Sequence, residues 1–316
     1  MPDKKITNKK VLVTGGAGFI GSHIADLLIE NGYSVVIIDN MSSGRTENVN
    51  RKASFYKIDI LSKELGKVFE KEKPDFVVHC AAQISVIKSL KEPVFDAENN
   101  ILGSINLFEC CVRHKVKKIV FASTGGALYG NPKKIPSGED TPVKPLSPYG
   151  VAKYCIEQYL SYYNRLYNLN YLSLRFANVY GPRQDPFGEA GVVAIFAKKL
   201  LSNEVPTING DGNQTRDFVF VRDVAEASLL AIEKDVPERE INISTAKETS
   251  VNEIFMIIKN AIKSNIQPKH GPEIKGEVRR IALDNSLAGK QLGWKSKTSI
   301  DDGIRETIEW FRDNYK

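Results

Sequence analysis

Long apolar runs are missing from this 316-residue chain, and none approaches the roughly 20 residues needed to span a bilayer. The N-terminus also lacks the apolar core of an export signal, so a cytoplasmic protein without a membrane partner is expected. Cysteine is scarce. Cys80, Cys110, Cys111 and Cys155 show no C-x-x-C spacing and read as buried thiols in a reducing compartment; no metal site is expected. A concentrated basic patch is lacking too. The 44 Lys and Arg exceed the 38 Asp and Glu by six, but they are scattered, and the densest run, Lys4 to Lys10, reads as a solvated tail, so no nucleic-acid partner is expected. Repeats and low-complexity segments are absent. What remains is an ordinary globular composition, 42% hydrophobic and 26% charged, long enough for two domains at roughly 150 residues each.

The first half alternates short apolar runs with amphipathic segments. "KKVLVTGG", "YSVVIIDN", "ASFYKIDI", "DFVVHCAA", "KKIVFAST" and "NYLSLRFANVYG" read as strands. "FIGSHIADLLIENG", ending at Asn31-Gly32, and the segment from Asn100 to His114 read as helices between them. Such alternation implies a parallel sheet covered on both faces, a doubly wound α/β domain. After Tyr180 the pattern loosens into a turn-rich loop, "GPRQDPFGEAG", a helix from Val192 to Leu201, and two strand segments around a Gly-Asp-Gly turn in "TINGDGNQTRDFVFVRDVAEA". We place a domain boundary near residue 178, giving 1–178 and 179–316, with "FVFV" and "EINIS" as elements that could pack back on the first domain.

"VLVTGGAGFIGSH" contains Gly16-x-Gly18-x-x-Gly21, and Gly15-x-x-Gly18-x-x-Gly21 if read one residue earlier. It follows a strand and opens a helix, the context in which glycines let a pyrophosphate approach backbone N–H groups. Asp39 ends the second strand, where a carboxylate can accept hydrogen bonds from both adenosine ribose hydroxyls and repel a 2'-phosphate. NAD is therefore expected over NADP, with Arg45 the one nearby residue that could meet the extra phosphate.

In "SPYGVAKY", Ser147 can cap a helix that Pro148 begins, and Tyr149 and Lys153 then share one face at i and i+4. A tyrosine pKa of about 10 must fall by about three, roughly 4 kcal/mol, for the phenol to act as a base at neutral pH. Lys153 provides one positive charge for this, and an oxidised nicotinamide would add another.

"TGGAGFIGSH", Asp39-Asn40, Asp59-Ile60, "HCAAQ", "ENN", "FASTGGALYG" and "YGVAK" together resemble the extended short-chain dehydrogenase/reductase superfamily, which has a Rossmann-type fold. "LRFANVYGPRQDPFGEAGVVAIF" and "GDGNQTRDFVFVRDVAEA" narrow the resemblance to the UDP-glucose 4-epimerase family, in order through nearly the whole chain. The resemblance implies a smaller C-terminal α/β substrate-binding domain and a homodimer through helices of the first domain, with Ile156, Tyr159 and Tyr163 available to interface or core. It implies that NAD is held by Gly15, Gly18, Phe19, Ile20 and Gly21, by Asp39, Asn40, Ser42, Ser43 and Gly44, by Asp59 and Ile60, and by Ala81, Ala82 and Gln83. Asn100, Ser123, Tyr149, Lys153 and Phe176 complete that implied set.

By the same resemblance Tyr149 takes the proton of the sugar 4-hydroxyl, Lys153 holds the nicotinamide ribose, and Thr124 hydrogen-bonds the same hydroxyl, with Ser123 the alternative. The substrate UDP would meet Thr124, Asn178, Gly191, Val192, Arg216, Arg279 and Asp284. Related dehydratases and decarboxylases place Asp or Glu just after the Thr124 position, whereas Gly125 and Gly126 follow here. Oxidation at C4 then has no acid to lead it into elimination, and return of the hydride to the 4-keto sugar's other face, epimerisation, is expected. Ile281 or Ala282 stands where the family uses a tyrosine to exclude an N-acetyl group, so UDP-N-acetylglucosamine is a second candidate; a UDP-uronate is another, with Arg183 its sole candidate partner. A nucleotide-sugar reductase and a non-catalytic NAD-binding module are the remaining alternatives.

Overall fold

Alternating side chains set up the central sheet. In β1 (Lys10–Thr14) Val11 and Val13 pack on one face and Leu12 on the other. After α1 (Phe19–Glu30), β2 (Ser34–Asp39) divides Val35 and Ile37 from Val36 and Ile38 in the same way. Strands apolar on both faces need cover on both faces, which parallel strands joined by helices provide.

The computed structural model describes residues 8–187, 191–237, 239–273 and 278–315. Residues 4–7 of the basic run and 188–190 of the turn-rich loop therefore lie outside the described residues. The first half continues with β3 (Ser54–Lys57), α2 (Leu65–Glu72), β4 (Phe76–His79), α3 (Val86–Lys91) and α4 (Pro93–Ala97). A wide π-type turn over Glu98–Leu102 leads into α5 (Gly103–Arg113), β5 (Lys118–Thr124), α6 (Gly125–Leu128), α7 (Pro148–Tyr167) and β6 (Asn170–Phe176). The helix expected from Asn100 thus starts as this wider turn. Then come β7 (Asn178–Tyr180), α8 (Val192–Leu201), β8 (Thr207–Asn209), β9 (Thr215–Arg216), β10 (Phe218–Phe220) and α9 (Val221–Glu233). The chain ends with β11 (Glu240–Ile243), β12 (Thr249–Ser250), α10 (Val251–Ile262), β13 (Lys269–Gly271) and α11 (Ile300–Asn314).

Among the described residues, seven strands form one parallel sheet in the order β3-β2-β1-β4-β5-β6-β11. The order reverses between β1 and β4, so the carboxyl ends of these strands open the crevice that binds ligands in doubly wound sheets. Helices α1 and α9 cover one face through residues such as Leu28 and Val224; α2, α5 and α7 cover the other through Phe69, Leu107 and Leu160. Both α9 and β11 come from beyond residue 178, so the second half completes the first half's sheet. A third apolar cluster, around Tyr180, Phe196, Phe220, Phe255 and Phe311, holds the smaller lobe together.

The strand segments expected around the Gly-Asp-Gly turn are present, each paired elsewhere: β8 with β13, β9 with β12, and β10 with β7. Asn252 of α10 donates to the Asp211 carbonyl at 3.0 Å, and His270 contacts the Gly210 carbonyl at 2.7 Å, so the turn is wrapped by its neighbours. Of the cysteines, all free, only Cys110 and Cys111 are buried; Cys80 and Cys155 are partly exposed. Ile156 and Tyr163 belong to the core, whereas Tyr159 is exposed on α7. No helix among the described residues is long and apolar enough to cross a membrane.

Candidate active site

The crevice begins where β1 hands over to α1. Gly15 has φ +70°, and a Cβ there would lie 2.7 Å from the Ala81 nitrogen, so the chain turns tightly against the end of β4. Gly18 is the N-cap of α1, with Phe19, Ile20 and Gly21 forming its first turn. Among the described residues no side chain caps this helix and no acid stands in its first turn, which leaves the positive end of the helix dipole available to an anion. Asp39, at the tip of β2, is buried, and its carboxylate accepts the Ala17 N–H at 3.0 Å and the Met41 N–H at 2.8 Å. Two backbone donors thus aim one negative charge along the crevice edge. Beyond it, exposed Asn40 donates to Asp59 at 2.7 Å, Ser42 and Ser43 are exposed, Gly44 is partly so, and Ile60 is buried. Arg45 pairs with Asp185 at 3.3 Å and lies over the Tyr315 ring, so its charge is shared with groups other than Asp39.

A buried polar network lies beneath the crevice at the ends of β1 and β4. His79 joins the Thr14 hydroxyl, 2.7 Å away, to the Ser104 hydroxyl, 2.8 Å away, and burial together with the Lys153 charge pulls its pKa down to about 3. The ring is neutral. The Thr14 oxygen also accepts the Ala81 N–H at 3.2 Å; Ala81 and Ala82 remain partly exposed. Gln83 and Asn100 clasp each other through side chain and backbone, at 2.8 and 3.0 Å. Both also donate to one oxygen of Asp96, at 2.8 Å from Gln83 and 3.0 Å from Asn100.

Helix α7 brings in the tyrosine and lysine. The Ser147 hydroxyl accepts the Gly150 N–H at 3.2 Å with Pro148 next in line, the cap expected from "SPYG". Tyr149 is partly buried, and the Lys153 ammonium, 3% exposed, lies 5.8 Å from its ring centroid. Lys153 donates to the Ala122 carbonyl at 2.8 Å and sits over the Phe121 ring, which ties α7 to β5 two residues before Thr124. Without the nicotinamide charge, the phenol is not poised to ionise. Burial, reinforced by Asp96, pushes the Tyr149 phenol well above its ordinary value, while burial pulls Lys153 down to about 8. Lys153 alone does not make a tyrosinate.

Thr124 and Ser123 have separate tasks. The Thr124 hydroxyl caps α6, accepting the Ala127 N–H at 3.3 Å, and remains partly exposed. Ser123 is buried and donates to Glu157 at 2.7 Å. Glu157 is also the bidentate partner of Arg175, at 3.0 and 2.7 Å, and Arg175 donates to the Tyr129 hydroxyl at 3.0 Å. Phe176 pairs in register with Thr124 and is buried. A Cβ at Gly126 would sit 3.7 Å from the Asn178 side-chain oxygen and 4.0 Å from the Thr124 hydroxyl, so these three positions share one patch of the crevice. At Gly125 a Cβ would lie 2.2 Å from Leu283.

The residues expected to hold UDP are less concentrated. Gly191 caps α8 and Val192 begins it, both partly exposed. Arg216 is partly exposed on β9 and donates to the Thr215 carbonyl at 2.8 Å. Arg279 pairs with Asp211 at 2.5 Å and Arg280 with Glu248 at 2.6 Å. These two arginines line an open groove of about 530 Å³ with Lys133 and Lys134. Asp284 accepts the Ser286 N–H and hydroxyl, which hold its carboxyl below the usual range. Ile281 and Ala282 are buried. Arg183 is paired with Asp26 at 2.7 Å.

Sequence reasoning missed Asp96, Glu157, Arg175 and Asp217. Asp217 is fully buried beside Arg216 and accepts the backbone N–H groups of Thr245, Ala246 and Leu283. In sequence Glu157 stands four residues after Lys153 and reads as an ordinary helical ion pair. Asp96 reads as an acid favouring the start of a helix after Pro93. Neither spacing marks a buried partner.

Comparison with known proteins follows the same lines. The family model described as the NAD dependent epimerase/dehydratase family matches residues 11–244. The solved structure of Thermotoga maritima UDP-glucose 4-epimerase with UDP-glucose has a TM-score of 0.95 at 48% identity, covering 97% of this chain and 100% of that one. The Thermus thermophilus UDP-glucose 4-epimerase in complex with NAD gives 0.91 at 43% identity, covering 96% and 99%. UDP-N-acetylglucosamine 4-epimerase from Methanobrevibacter ruminantium, in complex with UDP-N-acetylmuramic acid, gives 0.92 at 37% identity, covering 98% and 99%.

Proposed function

The chain belongs to the NAD-dependent epimerase/dehydratase family, and on that premise we propose that it epimerises UDP-hexoses at C4, with UDP-glucose and UDP-galactose as the principal pair. The uncapped first turn of α1 fits the dinucleotide's pyrophosphate, and the carboxylate of Asp39, fixed by backbone donors, fits an adenosine ribose with free hydroxyls. Gln83, Asn100 and Lys153 would flank the nicotinamide end. NAD, when bound, supplies the acceptor and donor for the C4 hydride and the positive charge of its oxidised ring.

Tyr149 takes the proton from the 4-hydroxyl and later returns it to the same oxygen once the keto sugar has turned its other face for return of the hydride to C4, while the Thr124 hydroxyl shares the hydrogen bond that orients the sugar oxygen. Asn178, Gly191, Val192, Arg216, Arg279 and Asp284 hold UDP, so the 4-keto sugar turns over without leaving. Bidentate arginine contacts suit the diphosphate.

One observation carries epimerisation over elimination. Gly125 and Gly126 follow Thr124, so neither position supplies an acid to expel water from the keto sugar, and the Leu283 side chain occupies the space beside Gly125. A second reading, turnover of UDP-N-acetylglucosamine, draws support from Ile281 and Ala282, neither of tyrosine size, and from the Methanobrevibacter relative. The uronate reading weakens because Asp26 already occupies Arg183.

We also propose a homodimer. Leu90, Val94 and Val151, on α3, α4 and α7, are exposed by 60%, 70% and 52%, an apolar face of the kind that pairs with a second copy. Sedimentation at micromolar concentration checks it; a monomer rejects it. Proton NMR of UDP-galactose mixed with purified protein, without added cofactor, tests the main reading. Appearance of the UDP-glucose anomeric signal is the expected result, and no change even with added NAD and with UDP-N-acetyl sugars removes it.

A further inference from the structure

Asp96 is a carboxylate only 1% exposed, on the short helix α4 instead of a strand end. The amide nitrogens of Gln83 and Asn100 both donate to it, and these bonds together with the Lys153 charge favour the ionised form against the burial that raises its pKa. It lines an open groove of about 480 Å³ together with Ser147, Pro148, Val151 and Ala152, the residues on either side of Tyr149 at the start of α7. The carboxylate therefore faces the turn of helix that carries the proposed base.

We propose that Asp96 is a positioning residue for the reaction, holding Gln83 and Asn100 in place and setting the local negative charge that governs proton exchange at Tyr149. The inference rests on the role proposed for Tyr149. The other ionisable groups near the tyrosine and lysine are accounted for. His79 on β4 is neutral, the Cys80 thiol is pushed up to about 12 by burial, and Glu157 on α7 is committed to Arg175 and Ser123. Asp96 raises the pKa of both Tyr149 and Lys153. A neighbouring anion stabilises every protonated form, so its removal moves both groups in one direction, toward lower pH. The consequence for catalysis is that burial and Asp96 together keep the proton on the phenol, which gives it up only when enough positive charge is present to outweigh both.

Two variants separate charge from packing. Asp96→Asn keeps an acceptor for Gln83 and Asn100 and loses the charge; Asp96→Ala loses both. The readout is the Tyr149 signal in NAD-saturated protein carrying ζ-¹³C tyrosine, assigned with Tyr149→Phe and titrated from pH 6 to 10, alongside the pH profile of kcat for UDP-galactose. Both variants should titrate lower than the parent by about one pH unit, with the acid and alkaline limbs of kcat moving the same way, while only the alanine variant melts earlier. Equal midpoints in all three proteins, or a Tyr149 that stays protonated to pH 10 in each, would overturn the proposal, and so would turnover lost without any movement of the limbs. If the parent turns over no UDP-sugar, the proposed function fails, and the Tyr149 titration still decides the role of Asp96.

Discussion

On the side of the crevice that carries Tyr149, the proposed reacting groups hang from the seven-stranded sheet or from helices packed on it, and a hydrogen bond from Lys153 to Ala122 ties helix to strand. On the side that carries Arg216 and Arg279, the strand pairings are two or three residues long, and Arg279 and its neighbour Arg280 are held by Asp211 and Glu248. The difference matches what each side is proposed to do. Hydride and proton transfer tolerate little misplacement of the reacting atoms, so their holders belong on a rigid scaffold. Gripping a diphosphate calls for charge more than for fixed geometry, and arginines that exchange Asp211 or Glu248 for a ligand can supply it.

Substitutions on the two sides put this contrast at risk. Tyr149→Phe should show the largest effect, a fall in kcat of about 10²- to 10⁴-fold with UDP affinity by calorimetry unchanged; near-parental turnover would take the base off the rigid side. Glu157→Gln tests the scaffold itself. It leaves Arg175 buried without its anion, and denaturant unfolding should show about 3 kcal/mol of lost stability, where a loss under about 1 would mean that the pair does not anchor β6 to α7. Arg216→Ala should raise the Kd for UDP about tenfold or more with a smaller effect on kcat, in keeping with a charge-assisted bond worth about 1.5–3 kcal/mol. An unchanged Kd would leave the pliant side without its principal cation. Smallest of all, Arg280→Ala removes an exposed ion pair and should change unfolding free energy by no more than about 1 kcal/mol. A larger loss would show that the smaller lobe is held by these surface pairs and is less adjustable than its short strands imply.

The same contrast governs how much could be read in advance. The strands of the sheet, the cap at Ser147 and the shared face of Tyr149 and Lys153 follow from local periodicity and from side chains a turn apart. The pairings of β8, β9 and β10 were not legible, because three-residue strands carry too few side chains to mark a partner and depend on Asn252 and His270, far along the chain. Nor was the direction of the Tyr149 shift. Lys153 is local in sequence, whereas burial and Asp96 are products of tertiary packing, and they prevail. The choice between Ser123 and Thr124 belongs to the same class: only the meeting of β5 with α7 reveals that Glu157 takes up the serine hydroxyl.

The contact between Gly125 and Leu283 bears on how such a protein could acquire new chemistry. Leu283 precedes Asp284, so the strand-end glycine and the segment proposed to hold the uridine ribose press against each other. A side chain introduced at position 125 would first have to displace the Leu283 side chain, so a change at the strand end is felt one residue away from Asp284. A smaller residue at 283 would relieve that contact, which couples new chemistry beside Thr124 to the segment proposed to hold the ribose.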